Sequence, residues 1–484
     1  VVTNSIYAKA GEMTWCLLAD VIANGVYFDL QNGVIGTTLG TATATMTAVG
    51  DGWYRLTVTF TSTGSVSGGI NFHVTTGNGV LSYAGANTTD GAYFWGAQVE
   101  ARSSVTAYTA TTTQAITNYN RQLKTAAANE WPREFDPVTG ECLGRSVWEA
   151  RTNLVAYSEQ FDNGYWLKNN VTVKANQILS PDGTLSADKV VDDTNTGQHR
   201  VRSNYGTPST TNYSVFAKAG EYTKVAIFNA SLSTVTIFDL QNGTVVSTGT
   251  GFTDAKIQSV GNGWYRISAT SALINLFGYG LINDSDEISF AGTGTSGAYF
   301  WGAQYEAGSF ATPYIPTVAA QVTRVADSAT ITGTNFSSWF NPSEGALFVK
   351  YQRSSLATVS SYARVFEVSD GTTNNRARVT LGDSSSNINY ISTVNAATQC
   401  DLSLSSQIAG SDVAIAVTYK FNDYSAVKNG GTAVTDTTAL VAGTMSQLNI
   451  GQATGGGTNM NGYIKRLTYY PQALTSANLQ AVTL

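Results

Sequence analysis

The residue types that most often do chemistry in proteins are scarce in this chain of 484 residues, and they are widely separated. Its two histidines are His73 and His199, and its three cysteines are Cys16, Cys142 and Cys400. A histidine-based metal site or a Ser-His-Asp triad requires several such groups close together, which this spacing does not predict. An odd number of distant cysteines favours buried thiols over a disulfide framework or a zinc site.

Paired carboxylates are another arrangement that could be catalytic, because glycoside hydrolysis requires two of them on either side of a sugar. The candidate groups are Asp284 with Asp286 and Glu287, and Asp192 with Asp193. Both groups lie in polar sequence typical of loops, where acidic side chains are normally solvated. The sequence therefore favours a protein that is not an enzyme.

A short segment, residues 199–205, concentrates side chains that could bind a sugar. It contains His199, Arg200, Arg202 and Tyr205, although charged residues make up only 12% of the chain. Arginine can donate hydrogen bonds to sugar hydroxyls or carboxylates, and tyrosine can stack on a sugar ring. We therefore expect this segment to contribute to a carbohydrate-binding site.

The same segment also has a purely structural interpretation. If it is a strand, alternation places Arg200 and Arg202 on one face and His199 and Val201 on the other. The two arginines would then be solvated on an exposed strand, or would pair with the aspartates at 192 and 193. Both interpretations are open at this point.

The overall composition excludes several classes of partner. The formal net charge is −6 and no basic cluster occurs, which argues against nucleic-acid binding. No apolar run approaches the ~18 residues of a membrane-spanning helix, so no membrane insertion is expected. Abundant Tyr, Ser, Thr and Asn with few charges suit recognition of neutral glycans by hydrogen bonding and stacking.

An internal repeat determines the predicted domain organisation. Four blocks recur in the same order at a spacing of about 210 residues. The blocks Tyr7–Glu12, Phe28–Gly33, Gly50–Arg55 and Gly91–Gln98 return as Phe216–Glu221, Phe238–Gly243, Gly261–Arg266 and Gly297–Gln304. Ordered blocks at nearly constant spacing indicate two copies of one domain.

The second copy has an additional front end that the first copy lacks. Residues 151–163 and Trp166 have no counterpart before Tyr7. We therefore expect residues 151–326 to form a complete domain and residues 1–111 to lack its opening strands. Those strands would come from a further N-terminal stretch of the polypeptide or from a neighbouring subunit.

The fold class follows from short alternating segments separated by turns. Alternation is visible in residues 54–60 and 265–270, and the Asn-Gly pairs at 32–33 and 242–243 favour hairpins. We predict an all-β protein of serial β-sandwiches, with two jelly rolls and a third sandwich. The predicted divisions are residues 1–111 for a partial jelly roll, 112–150 for a connector with a short helix near 119–131, 151–326 for the second jelly roll and 327–484 for the last sandwich.

Aromatic residues that both copies share are more typical of a common core than of a ligand site. These residues include Trp264 and Trp301 of the second copy and Trp95 of the first. Glycan specificity is therefore expected where the copies differ. Besides the segment from residue 199 to 205, such positions include Trp166 and Tyr279.

Seven passages of the chain have a recognisable pattern. Four of them are Phe135–Gly144, Glu149–Leu154, Asp51–Arg55 and Tyr93–Gln98. These resemble parts of bacteriophage tail-fibre and head-fibre proteins, where the first two precede a jelly roll similar to carbohydrate-binding modules. The other three lie in the C-terminal part of this chain and are Glu344–Gly345, Gly462–Ile464 and Tyr470–Leu474. They resemble parts of a concanavalin-A-like (laminin-G-like) sandwich.

This resemblance implies a non-enzymatic fibre, spike or decoration protein on the virion surface. Its expected partners are host-surface polysaccharide and other virion proteins, and such fibres are commonly homo-oligomers, often trimers. The alternatives are a secreted bacterial polysaccharide-binding protein, a purely structural virion decoration and, less favoured, a glycan depolymerase.

The resemblance also implies a possible structural calcium ion, and no other cofactor. In similar jelly rolls, calcium lies between the first and last strands, and its ligands are oxygen atoms. The matching residues here are Glu159, Asp162, Gln304 and Glu306. An exposed carboxylate without a metal is the alternative interpretation.

Overall fold

The computed structural model is built almost entirely of β-strands, which confirms the predicted all-β class of serial β-sandwiches. It describes the whole chain except residues 21–23, 62–70, 85–88, 101, 107, 109–122, 125, 127–129, 138, 204–209, 230–233, 273–276, 355–361, 383–386 and 442. The chain divides into two compact units, Val1–Tyr119 and Asn120–Leu484. Within the described part, no helix is long and apolar enough to span a membrane.

The first unit is a small sandwich of two four-stranded antiparallel sheets. Their strand orders are β5-β6-β1-β8 and β4-β3-β2-β7. Ile6, Phe28 and Leu56 are among the buried residues between the sheets. The strands are β1 (Val2–Lys9), β2 (Trp15–Ala19), β3 (Gly25–Asp29), β4 (Val34–Leu39), β5 (Thr43–Gly50), β6 (Trp53–Phe60), β7 (Asn71–Thr75) and β8 (Tyr93–Glu100).

The second unit contains the remaining strands and two short helices. They are β9 (Arg133–Phe135), β10 (Cys142–Val147), β11 (Arg151–Asn153), β12 (Trp166–Asn169), β13 (Val171–Leu179), β14 (Leu185–Asp192), β15 (Thr196–Gly197), β16 (Arg200–Ser203), β17 (Thr211–Lys218), β18 (Lys224–Asn229), β19 (Val235–Asp239), β20 (Thr244–Ser247), β21 (Phe252–Gly261), β22 (Trp264–Ser271), β23 (Phe277–Ile282), β24 (Phe290–Ala291), β25 (Gly297–Ala307), β26 (Val322–Arg324), β27 (Ala329–Thr332), α1 (Thr334–Ser337), β28 (Glu344–Arg353), β29 (Ala363–Ser369), β30 (Arg376–Leu381), β31 (Ile388–Val394), β32 (Ala397–Leu404), β33 (Asp412–Lys420), β34 (Tyr424–Lys428), β35 (Val434–Asp436), β36 (Gln447–Ile450), β37 (Gly462–Tyr470) and α2 (Ser476–Thr483).

The second copy of the repeat forms a larger sandwich than the first. Its sheets have the orders β13-β14-β25-β17-β22-β21 and β12-β16-β23-β18-β19-β20. Strands β17 to β23 and β25 correspond to β1 to β8 by order and pairing. Among the described residues of the first unit, no strand corresponds to β12, β13, β14 or β16. The two copies therefore differ by the front end that only the second copy has in sequence.

The C-terminal sandwich includes strands from the stretch that the sequence predicts as a connector. Its sheets have the orders β35-β34-β33-β28-β37-β10-β9 and β27-β36-β29-β30-β31-β32. Strand β10 pairs with β37, with Val147 opposite Gly462, and Val147 lies in the sandwich core. The second jelly roll thus lies between β10 and β27 along the chain. Most of the predicted helix near 119–131 lies outside the described residues.

The C-terminal helix α2 packs onto this sandwich. The Thr475 hydroxyl accepts a hydrogen bond from the Asn478 backbone N–H and so caps the helix N-terminus. Leu479 is fully buried against Phe348 and Val427.

A buried carboxylate ties the opening loop of the second jelly roll to its sheet. Asp188 of β14 accepts hydrogen bonds from the backbone N–H groups of Phe161 and Asn176, at 2.8 and 2.9 Å. Burial raises the pKa of Asp188 to about 6, even though these hydrogen bonds lower it. The carboxyl group is therefore poised to change charge in mildly acidic solution.

The raised pKa of Asp188 predicts a specific pH dependence of stability. An unfolded aspartate titrates near ~3.9, so the folded protein binds this proton more tightly. The contribution of Asp188 to the free energy of unfolding should be largest below about pH 4 and should be lost as pH rises through about 6. Thermal unfolding of the wild type and of Asp188→Asn across this range measures the contribution. Parallel profiles for the two proteins would contradict it.

Candidate functional site

Two of the residues expected to bind carbohydrate are buried in the core of the second jelly roll. Trp166 and Tyr279 belong to its main hydrophobic cluster. The Trp166 indole N–H donates to the Tyr157 carbonyl oxygen at 3.0 Å, and the Tyr279 hydroxyl donates to the Ser214 carbonyl oxygen at 2.7 Å. Their large rings fill the space between the sheets, so the structure corrects the expectation that they contact a ligand.

His199 is also buried, and both of its ring nitrogens face backbone carbonyl oxygens. Nδ1 lies 2.7 Å from the Asn170 oxygen and Nε2 lies 3.0 Å from the Phe290 oxygen. Since a carbonyl oxygen can only accept, both contacts are hydrogen bonds only when both nitrogens carry a proton. His199 therefore links two parts of the jelly roll, and it is not exposed to a ligand.

Arg200 and Arg202 lie on the outer face of the sheet, as alternation predicts for a strand. Val201 between them is fully buried in the core, whereas both arginines are partly exposed. The Arg200 guanidinium lies 5.6 Å from the centre of the Phe228 ring. Arg202 Nε donates to Asn169 Oδ1 at 3.4 Å, which is a weak hydrogen bond. Tyr205 lies outside the described residues.

Two glycines on the neighbouring strand make room for these arginines. A Cβ atom on Gly280 would lie 2.9 Å from Arg200 Cβ, and one on Gly278 would lie 2.8 Å from Arg202 Cβ. Burial, and then the neighbouring charge of Arg202, lower the pKa of Arg200. The two guanidinium groups therefore form a small basic patch.

Asp192 and Asp193, the alternative partners of these arginines, bind other groups. Asp192 is buried and accepts hydrogen bonds from the Tyr222 hydroxyl at 2.8 Å and the Thr293 backbone N–H at 2.6 Å. Asp193 accepts from the Asn195 backbone N–H at 3.0 Å. Both aspartates stabilise loops of the jelly roll.

The residues expected to hold calcium are largely occupied by hydrogen bonds within the protein. The Gln304 side-chain oxygen accepts from the Ile315 backbone N–H at 2.6 Å, and Glu306 accepts from both the backbone and the hydroxyl of Thr312. Glu159 accepts from the Tyr314 hydroxyl at 3.0 Å.

Asp162, the fourth expected calcium ligand, has its backbone carbonyl bound by the Lys168 ammonium group at 2.8 Å. Among the described residues, no group of three or more His, Cys, Asp or Glu residues is arranged to hold a metal ion. The structure therefore does not bring Glu159, Asp162, Gln304 and Glu306 together as one metal site.

A stronger candidate site lies on the C-terminal sandwich, on the outer face of the sheet that contains β29 and β30. Arg376 and Arg378 alternate with Val379 and its core-facing neighbours, so both arginines point away from the core. Arg364 and Glu367 of β29 lie on the same face. We call Arg364, Glu367, Arg376 and Arg378 the arginine face.

Glu367 is the centre of the arginine face. Its side chain is fully buried, and Oε2 lies 3.2 Å from Arg364 Nε and 3.6 Å from Arg376 Nη1. Its other oxygen accepts a hydrogen bond from the Thr454 backbone N–H at 2.8 Å. One carboxylate is thus shared by two guanidinium groups.

Arg378 adds a third positive charge that this carboxylate does not pair directly. Arg378 is 8% exposed, and its Nη1 donates to the Thr393 hydroxyl at 2.9 Å. Burial first, and then repulsion from Arg376 and Arg364, lower the pKa of Arg378 to about 10. Among the described residues, no hydrogen-bond acceptor contacts Nε of Arg376 or Nε of Arg378. Both Nε atoms are themselves buried, so the arginine face carries positive charge that its own acceptors do not fully satisfy.

The chemistry of this site suits a carboxylate or a similar planar anion. Guanidinium groups present fixed donors that match a carboxylate, and such charge-assisted hydrogen bonds are stronger than neutral ones. Polar neighbours on the same face include Asn389 and Asp401, joined by a 2.7 Å hydrogen bond. An acidic sugar would meet positive charge there, together with the neutral Asn389 amide and one further carboxylate, that of Asp401.

The sequence patterns considered above did not predict the arginine face. The available signal was the Arg-Ala-Arg run at 376–378, which alternation places on one face of a strand. Arg364 and Glu367 are three residues apart, which in a regular strand places them on opposite faces. A β-bulge between Arg364 and Phe366 shifts the register and brings the two side chains together.

Comparisons with known proteins identify no family for this chain. No family model matches it, and no curated protein matches it. The CBM40 module of the Ruminococcus gnavus IT-sialidase is 15% identical over 32% of this chain and 93% of its own length, with a TM-score of 0.28. Mouse laminin α1 domains LG4-5 are 9% identical over 73% of this chain and 96% of theirs, with a TM-score of 0.23.

A third solved structure, a sialidase of Trypanosoma rangeli, is 12% identical over 62% of this chain and 60% of its own length, with a TM-score of 0.27. At these identities and TM-scores, the three similarities assign neither an activity nor a binding site to this chain.

Proposed function

We propose that this chain is a non-enzymatic virion fibre, spike or decoration protein that binds acidic polysaccharide on the host surface. The arginine face is the observation that carries the proposal, because three guanidinium groups surround the one carboxylate of Glu367. The excess of positive charge on this mostly buried face favours an anionic ligand. The composition favoured a neutral glycan, whereas the arginine face favours a carboxylated one.

The proposal includes no catalysis. The contacts of the carboxylates that were candidates for catalysis in the sequence support this. Asp286 forms an ion pair with Lys224 at 2.6 Å, and Glu287 accepts a hydrogen bond from the Asn283 amide at 2.6 Å. The Glu287 contact lies within one surface turn, whereas Lys224 belongs to strand β18. Both contacts give each acid a local partner rather than a second acid across a sugar-sized gap.

Changing Arg376 and Arg378 together to Gln should weaken binding of a carboxylated polysaccharide at least tenfold. Each lost charge-assisted hydrogen bond is worth about 1.5–3 kcal/mol. Binding of the full chain to a glycan array, followed by titration of the best acidic glycan and its carboxyl-reduced form, measures this. The carboxyl-reduced glycan should bind at least tenfold more weakly to the wild type.

The matched control is Arg200→Ser with Arg202→Ser on the jelly roll, with the fold of both variants verified by melting. This control should bind as the wild type does. Loss of binding in the control alone would move the site to the jelly roll. An array without any bound glycan would support a purely structural decoration, and release of reducing sugar would support a depolymerase; either result overturns the proposal.

A further inference from the structure

The last strand of the repeat has two occupied edges in the second copy. One edge of β25 pairs with β17, and the other pairs with β14 from Gly297 to Phe300. Farther along this second edge, the backbone N–H of Ala303 donates to the Ser158 carbonyl oxygen at 2.8 Å, and that of Tyr305 donates to Asn153 Oδ1 at 3.1 Å. Residues of the front end therefore satisfy the whole outer edge.

The corresponding edge in the first copy is open. Among the described residues, β8 pairs with β1 alone, and β7 of the other sheet pairs with β2 alone. Ala97 and Val99 are the counterparts of Ala303 and Tyr305. Within the part of the chain that the structure describes, their outward backbone groups have no backbone partner, and such an edge is a template for an added strand.

The side chains on this strand are exposed in the first copy and covered in the second. Trp95 is 57% exposed, whereas its counterpart Trp301 is 1% exposed. Val99 is 59% exposed, whereas its counterpart Tyr305 is fully buried. Ala187 and Ile178, which lie between the front end and β17, pack near Trp301. The Ser186 hydroxyl accepts a hydrogen bond from the Trp301 indole N–H at 3.0 Å.

The core of the first copy is open on the same side. Phe72 and Phe94 are only half-buried there and contact each other at 6.1 Å between ring centres. In the second copy, the equivalent Phe300 is covered by Phe161 of the front end, at 6.2 Å between ring centres. In the first copy, both sheets and the core thus stop at the side that the additional strands cover in the second copy.

We propose that the open side of the first copy accepts a segment of the same polypeptide, N-terminal to β1 and equivalent to residues 151–203. In the second copy, this segment adds β13 and β14 to one sheet and β12 and β16 to the other. It directly precedes β17, the counterpart of β1, so the connection is short. Addition of a strand to an exposed sheet edge would satisfy the backbone of β8 and bury Trp95. This inference does not depend on the proposed glycan binding.

A second copy of this chain is a poorer donor. Its own segment 151–203 contains Phe161 and Trp166, and both are buried in the core of its second jelly roll. Donating that segment would open one core in order to complete another. A segment N-terminal to β1 has no such cost.

Hydrogen exchange tests this proposal directly. The chain in its 484-residue form is compared with a form extended by the residues that precede it in the gene, over the equivalent of residues 151–210. In the shorter form, the amides of Ala97 and Val99 should exchange at least about a hundredfold faster than those of Ala303 and Tyr305. In the extended form, the two pairs should exchange at similar rates.

Several results would overturn the proposal. They are an upstream sequence without two alternating strands, unchanged exchange of Ala97 and Val99 in the extended form, and strong protection already present in the 484-residue form. Protection that grows with protein concentration would identify a second copy as the occupant instead. As a further readout, Trp95→Ala should lower the melting temperature of the extended form and leave that of the shorter form unchanged.

Discussion

Replacing Trp301 by alanine should lower the free energy of unfolding of the second jelly roll by about 3–5 kcal/mol. The Trp301 ring is almost fully buried among Phe216, Trp264 and Ala187, and its indole N–H is hydrogen-bonded to Ser186. Its removal would leave a large cavity that the surrounding strands cannot close. Trp264, which is equally buried, should behave in the same way.

Trp95→Ala is the matched control, because it removes the same residue from the same position of the repeat. Trp95 is largely exposed, so its removal should change stability far less. Urea unfolding of the two variants and the wild type, followed by hydrogen exchange in each repeat, gives the comparison. A Trp301 variant that unfolds like the wild type but no longer binds glycan would show that this tryptophan contacts the ligand.

Replacing Glu367 by glutamine should destabilise the C-terminal sandwich by about 3–5 kcal/mol, the usual cost of removing one partner of a buried ion pair. The substitution keeps the shape of the side chain and removes its charge. Arg364 and Arg376 would lose their shared partner, and Arg378 would repel both of them more strongly. The effect should shrink when an acidic glycan occupies the arginine face.

Glu344→Gln provides the control for this prediction in the same sandwich. Glu344 pairs with Lys420 at 3.5 Å, and both side chains are substantially exposed to solvent. An exposed pair of this kind contributes only about 0–1 kcal/mol. Chemical unfolding of both variants, with and without a carboxylated glycan, measures the difference. Equal losses of stability would mean that the arginine face is not the coupled, buried cluster described above.

Local patterns determined much of the architecture. Short alternating segments and turn signals predicted the all-β sandwich class, which depends on nearest-neighbour chemistry. The repeated blocks predicted buried tryptophans, which the structure confirms for Trp264 and Trp301 but not for Trp95. The placement of Arg200 and Arg202 on one face followed from strand alternation alone.

Long-range packing decided what these patterns could not. Trp95 and Trp301 occupy identical sequence blocks, but only Trp301 is covered, because burial depends on strands that lie elsewhere in the chain. Trp166 and Tyr279 are buried for the same reason, because they fill the core that the additional strands of the second copy enclose.

The strand-rich class, the repeat and the faces of regular strands could thus be predicted, because they depend on residues close together in the chain. Long-range pairing was needed to show that residues 133–147 join the C-terminal sandwich, because β10 and β37 are far apart in sequence. It also revealed the arginine face, because the bulge beside Arg364 changes which side chains share a face.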